Sequence, residues 1–150
     1  MKDLEFNTKE HQYHIKAIFQ NLKNIFLEGE YADKAIEKSM KANKNWRVRE
    51  RSFVADTTYD IVRWWRLLTS VAEPDALLSD KSLWNIFGTW LIMRGKIISE
   101  KDHQFKSLNP QKIKAKLDKF SRIRRIKESI PDWLDKAGVE ELGEQRWEKL

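Results

Sequence analysis

The side chains best suited to binding chemistry are basic, and they fall into two groups along the chain. The first group surrounds a predicted helix start and comprises Lys44, Arg47, Arg49 and Arg51. The second group lies in residues 112–127, where eight Lys and Arg residues have almost no acidic neighbours. Clustered cations bind polyphosphates because binding releases counterions, and the planar guanidinium group binds two phosphate oxygens at once. The pattern predicts contacts with RNA or DNA, and the alternative is two solvated helix faces.

Two pairs of side chains have spacings that metal binding or catalysis can use. His11 and His14 are three residues apart on a predicted helix, but a metal site there would need carboxylates, of which Glu10 is the near candidate. Asp56 and Asp60 are four residues apart, so that one helix face could present both for acid–base work. The alternatives are a solvated helix start for the histidines and helix-surface ion pairs for the aspartates.

Three tryptophans could stack on nucleic-acid bases. Successive helical residues point about 100° apart, so Trp64 and Trp65 cannot form one platform, and one of them is predicted to lie in the core. Trp46, beside the arginines, is the better stacking candidate.

The composition narrows the possible function classes. The chain has 150 residues, 29 Lys and Arg against 23 Asp and Glu, a net charge of +6 and 41% hydrophobic residues, which suits one packed domain. The absence of cysteine excludes disulfides, a thiolate nucleophile and Cys-ligated metal sites in this chain. The sequence contains no Gly-rich nucleotide loop, no signal peptide and no apolar run of membrane-spanning length. We therefore expect a cytoplasmic protein with no membrane partner, no metal site and no catalytic residue of its own.

Apolar periodicity of three and four residues, with few Gly and Pro, predicts an all-α fold. The predicted helices cover residues 8–27, capped by Thr8, then 31–42 and 48–72. A further helix starts at Ser79 or Asp80 and ends near Gly95, and another runs through 109–123. For residues 97–108 the pattern fits either a short helix or a loop. The pattern of 140–150 has no stop signal, which predicts that the chain is cut from a longer protein.

Three stretches, residues 31–44, residues 49–64, and residues 128–134 followed by 141–147, together resemble the N-terminal part of the Sun/RsmB-type RNA cytosine-5 methyltransferases. The most specific match comprises Arg51, Phe53, Val54, Ala55, Asp56, Tyr59, Ile61, Val62, Arg63 and Trp64. The segment Ile130-Pro131-Asp132-Trp133-Leu134 is similar to the connector that precedes the catalytic domain in that family.

The resemblance implies a NusB-like bundle of five to seven helices in residues 1–127, followed by a helical connector in 128–150. The parent protein would use S-adenosylmethionine to methylate carbon 5 of a cytosine in ribosomal RNA. Its cysteines and Gly-rich turn would lie in a catalytic domain outside this chain. The implied role of the chain is therefore to bind and orient RNA for its own catalytic domain, without catalysing.

We predict RNA contacts from basic residues of both groups, and the alternative for Arg63 is pairing with Asp60 or a helix end. The predicted contacts are Lys44, Arg47, Arg49, Arg51, Arg63, Arg122, Arg124 and Arg125. One alternative is a NusB-like protein-interaction module, whose apolar residues 84–93 would face a partner if exposed. The other is a small enzyme built on His11 and His14, or on Asp56 and Asp60, which requires these groups to converge in a cleft.

Overall fold

The apolar periodicity produces six α-helices in residues 6–98 and 102–122, the parts of the chain that the computed structural model describes. The helices are α1 (Gln12–Phe26), α2 (Ala32–Ala42), α3 (Val48–Arg63), α4 (Trp65–Ala72), α5 (Asp80–Met93) and α6 (Pro110–Ser121). A 3-10 turn, His103–Phe105, lies between α5 and α6. The predicted all-α bundle is confirmed. The predicted connector 128–150 lies outside the described residues, and no described helix is long and apolar enough to cross a membrane.

Helices α5 and α6 begin at the predicted caps. The Ser79 hydroxyl accepts a hydrogen bond from the Ser82 N–H at 3.3 Å. The Asn109 side chain accepts from the N–H groups of Gln111 and Lys112 at 3.1 Å each, and Pro110 occupies the first turn, where its missing N–H costs nothing. Local chemistry therefore determines where these two helices start.

Two predicted helix boundaries are wrong. Helix α1 begins at Gln12, because the buried Thr8 donates its hydroxyl to the carboxylate of Asp102 at 2.9 Å rather than capping a helix. The predicted helix 48–72 is interrupted at Trp64, whose φ of −99° and ψ of 17° leave the helical region. The interruption separates α3, which packs on α1 and α2, from α4, which packs on α5 and α6.

The main core lies where α1 and α3 meet α5. Helix α5 is buried almost all round, as its apolar composition predicts, and Phe87 at its centre is fully buried. A smaller cluster of Val71, Ile92 and Ile113 joins α4, α5 and α6. A Cβ at Gly88 of α5 would meet the side chains of Leu108 and Phe105, so the missing side chain lets the segment after α5 approach the helix closely.

A buried polar network joins the first three helices. Asn21 of α1 donates to the Thr58 hydroxyl of α3 at 3.4 Å and accepts from the Ser39 hydroxyl of α2. Asn21 and Thr58 are fully buried. One amide side chain therefore fixes three helices relative to one another, because a buried polar group needs its partners.

Candidate nucleic-acid interface

The first basic group lies at the N-terminus of α3. Arg47 is the N-cap, and its backbone N–H donates to the Glu50 carboxylate at 2.7 Å. Hydrogen bonds from the backbone N–H groups of Glu50 and Arg47 lower the pKa of the Glu50 carboxyl. The acidic residue nearest the arginines is therefore held against the helix end, where it satisfies N–H groups that have no partner within the helix.

The four cations around this helix start are exposed. The side chains of Lys44, Arg47, Arg49 and Arg51 make no ion pair and no hydrogen bond with any described residue. The N-terminal end of α3 adds a partial positive charge at the same place. These residues, called the α3 basic end below, form no ion pair with a described acid, although the charge of Arg47 contributes to lowering the pKa of the Glu50 carboxyl.

The residues of the α3 basic end do not all point the same way. At 100° per residue, Arg49 and Arg51 project about 200° apart, onto opposite flanks of α3. Arg49 shares its flank with Asp56 and Arg63, and Arg63 lies about 21 Å further along the helix. The predicted contact residue Arg63 is therefore not brought to the α3 basic end, and its guanidinium lies 5.2 Å from the ring centre of Trp64.

Trp46 was the predicted stacking residue, and this prediction is wrong. Trp46 is only 9% exposed, and its ring contacts the His14 ring edge-on at 5.5 Å between ring centres. Of the tryptophan pair, Trp65 stacks on Phe26 at 3.8 Å. Trp46 therefore anchors the segment before α3 to α1 and cannot offer its face to a base.

The two candidate acidic residues of α3 differ in surroundings. Asp60 accepts hydrogen bonds from Trp90 at 2.7 Å and from Arg94 at 2.6 Å, and forms an ion pair with Arg94. Burial raises the pKa of Asp60, but the hydrogen bonds from Arg94 and Trp90 and the charges of Arg94 and Arg63 outweigh burial and lower it. Asp56 is exposed. The Asp60 carboxylate thus links α3 to α5 through its bonds with Trp90 and Arg94. Asp56 and Asp60 are therefore not arranged as a pair for acid–base chemistry.

The described part of the second basic group contains one ion pair, and its four lysines form none with a described residue. Lys112, Lys114, Lys116, Lys119 and Arg122 are all exposed on α6. Arg122 forms an ion pair with Asp118 at 3.5 Å, and the Lys119 ammonium lies 5.8 Å from the ring centre of Phe120. The predicted contacts Arg124 and Arg125 lie outside the described residues.

The two histidines pack between α1 and α3. The His11 ring stacks on Phe53 at 4.5 Å, and the ring centres of His11 and His14 are 5.7 Å apart. Burial lowers the pKa of His11, against an opposing effect of Glu10. The described residues contain no group of three or more His, Asp or Glu side chains that could hold a metal ion. In this arrangement the histidines act as packing residues.

Sequence reasoning missed a cleft of about 620 Å³ between α1 and the segment formed by the start of α5 and the 3-10 turn. One wall carries Lys9, Lys16 and Lys23, and the floor includes Phe19 and Trp84. The seven-residue spacing of Lys16 and Lys23 was the available signal, because it places both on one flank of α1, and Lys9 lies in the turn before that helix.

Comparisons with protein-family models, with curated proteins and with solved structures give no match for this chain.

Proposed function

We propose that this chain binds structured ribosomal RNA through the α3 basic end. The observation that carries the proposal is the set of four exposed cations, Lys44, Arg47, Arg49 and Arg51, which form no ion pair with a described residue. A phosphate that contacts these cations does not have to break an existing salt bridge. The counterions released on binding therefore contribute fully to the affinity.

The geometry suits a folded RNA more than an extended strand. Because Arg49 and Arg51 lie on opposite flanks of α3, the helix end can contact phosphates on two sides. A guanidinium group binds two phosphate oxygens at once, and the hydrogen bond from the Arg47 backbone N–H to Glu50 holds the backbone at the helix start from which these side chains project. Contacts of this kind orient an RNA without reading its sequence.

We also propose that the chain is the NusB-like N-terminal module of an S-adenosylmethionine-dependent ribosomal RNA (cytosine-5) methyltransferase. The resemblance of residues 31–44, 49–64, 128–134 and 141–147 supports this, together with the all-α bundle. The chain has no cysteine and no Gly-rich turn, so cofactor binding and methyl transfer belong to a catalytic domain outside it. The role of the module is to hold the RNA in place for that domain.

The alternative of a protein-interaction module depended on exposure of residues 84–93. Six of these residues are buried, namely Ile86, Phe87, Gly88, Thr89, Leu91 and Ile92, and Trp84, Trp90 and Met93 are half-buried. This segment offers no broad apolar surface to a partner.

A salt titration tests the RNA-binding proposal. The affinity for a structured ribosomal RNA fragment is measured at about 50 and about 200 mM salt, and four phosphate contacts predict a loss of about 100-fold between them. No measurable binding at the lower salt concentration, or an affinity that does not change with salt, contradicts the proposal. A neutral polymer of similar length serves as the control for non-electrostatic binding.

A further inference from the structure

The cleft beside α1 is separate from the α3 basic end, because no residue of α3 lines it. Its walls are the outer flank of α1 and the pair formed by the first turn of α5 and the 3-10 turn. Gly88 allows the segment after α5 to lie close to that helix, so the second wall is fixed by packing.

The α1 wall carries a row of ammonium groups. Lys9 and Lys16 are exposed and make no ion pair with a described residue, whereas Lys23 lies 3.7 Å from Asp80. Lys16 and Lys23 are about 10.5 Å apart along the helix axis. The row can therefore follow a chain of negative charges along the cleft.

The floor and rim of the cleft are aromatic. Trp84 is held by edge-on contacts with Phe19 at 5.1 Å and with Phe105 at 5.7 Å. Its indole N–H makes no hydrogen bond with a described residue and is a donor available to a ligand. Tyr13 stands at the rim with 70% of its surface exposed, and its ring makes no ring contact within the described chain.

The two acidic residues that line the cleft each have a neighbouring group, and they leave the three lysines of the lining in excess by one charge. Asp102 accepts the Thr8 hydroxyl at 2.9 Å, and Asp80 lies beside Lys23. The remaining groups favour a ligand that has a flat apolar face, hydrogen-bond acceptors and flanking negative charge.

We infer that this cleft binds an unpaired nucleotide of the RNA, with the base against Tyr13 and Trp84 and the adjoining phosphates against Lys9 and Lys16. The inference rests on the proposed RNA-binding function and extends it. The α3 basic end contacts the folded part of the RNA, and the cleft takes a single-stranded extension of the same molecule. Stacking on an aromatic ring accepts any base, so the cleft selects for unpaired structure and not for sequence.

The test compares two RNAs, a ribosomal hairpin and the same hairpin with a single-stranded extension. The full chain should bind the extended RNA about tenfold more tightly, and Tyr13→Ala should remove that difference without changing the affinity for the plain hairpin. Tyr31→Ala is the matched control, because Tyr31 is an equally exposed tyrosine, at 84%, that does not line the cleft. Thermal unfolding of each variant confirms that it is folded.

A photo-crosslink provides a second measurement. A 4-thiouridine in the extension should crosslink to peptides from α1 or from the start of α5, and Lys9→Ala with Lys16→Ala should reduce the yield. Equal affinity for the two RNAs, or an unchanged affinity for the extended RNA in Tyr13→Ala, overturns the inference and leaves the proposed function standing. Displacement of the extension by an acidic aromatic peptide at a lower concentration than by a single-stranded oligonucleotide also overturns it. Failure of both RNAs to bind the unmodified chain overturns the proposed function itself.

Discussion

The two basic groups of the chain differ in how their charge is compensated. At the α3 basic end the one nearby acid, Glu50, is turned toward backbone N–H groups, and the arginine side chains have no ion-pair partner among the described residues. On α6 the last arginine, Arg122, pairs with Asp118 one turn earlier. A similar density of basic residues in the sequence thus produces a different surface in each place.

The difference shows that the number of cations in a segment does not determine its affinity for a polyanion. An acid placed four residues from an arginine on a helix forms an ion pair that a phosphate must displace. An acid used as a helix cap leaves the neighbouring arginines available. The four lysines of α6 also form no ion pair with a described residue. We expect the α3 basic end to dominate RNA binding because three of its four cations are arginines, each of which can bind two phosphate oxygens at once.

The largest expected effect comes from reversing charge at the α3 basic end, compared with the same change on α6. Arg49→Glu with Arg51→Glu should lower RNA affinity by about 100-fold at low salt, because two phosphate contacts become repulsions. Lys112→Glu with Lys116→Glu is the matched control on α6 and should lower it by less than about fivefold. Filter binding at one fixed salt concentration measures both. Equal losses would mean that total charge, and not its placement, controls the affinity.

A second prediction concerns an arginine that is paired. Asp60→Asn removes the ion pair with Arg94 and weakens the hydrogen bond from Trp90, and should lower the free energy of unfolding by about 1–2 kcal/mol at neutral pH. RNA affinity should not change. Asp56→Asn, an exposed position on the same helix, should change stability by less than about 0.5 kcal/mol.

The pH dependence of this pair has a definite sign. Because the folded protein lowers the pKa of Asp60, its stabilising contribution is present above the unfolded value of about 3.9 and is lost as the pH falls through the lower folded pKa. In urea unfolding, the difference in the free energy of unfolding between the unmodified protein and Asp60→Asn should therefore become smaller at acidic pH. A difference that stays constant down to the lowest pH at which the protein folds would contradict an ionic origin.

A smaller effect is expected at His11, which packs beside the α3 basic end. Burial lowers its pKa, so the unfolded chain binds the proton more readily and the protein should lose stability as the pH falls below about 6.5. His11→Phe keeps the stack on Phe53 and should flatten the stability profile between neutral and mildly acidic pH. Chemical denaturation across that range measures it, and parallel profiles for the two proteins would rule out a role for His11.

The smallest effect is expected at the acid that caps α3. Glu50→Gln keeps an oxygen that can accept from the Arg47 N–H, so the thermal unfolding midpoint should change little. RNA affinity should rise about twofold, because one negative charge leaves the binding surface. Glu37→Gln, an exposed glutamate on α2 that pairs with Lys41, is the control and should leave the affinity unchanged. A fall in affinity on Glu50→Gln would place the RNA elsewhere.

The helices with local end signals could be predicted from the sequence. Ser79 and the pair Asn109-Pro110 are capping signals that act within a few residues, so α5 and α6 begin where they were expected. The late start of α1 could not be predicted, because it depends on Thr8 meeting Asp102, 94 residues further along the chain. The interruption at Trp64 likewise depends on how α4 packs against other helices.

The candidate site, like the helix boundaries, could be predicted only in part from the sequence. The exposure of the cations at the start of α3 follows from their charge, since unpaired Lys and Arg are almost never buried. The burial of Trp46 could not be inferred, because an aromatic residue beside arginines suits both a core and a stacking surface. The cleft requires α1 and the 3-10 turn to meet, and nothing local in either segment specifies that contact.

The network of Asn21, Ser39 and Thr58 has a consequence for how the first three helices find their alignment. Leucine and isoleucine contacts tolerate a helix that slides by one residue, because one apolar neighbour replaces another. If any of these three helices shifted along its axis, a buried amide or hydroxyl would lose its hydrogen-bond partner. The hydrogen bonds among Asn21, Ser39 and Thr58 thus fix how the three helices are aligned along their axes. The direction in which α3 presents its arginines therefore depends on a side chain of a different helix.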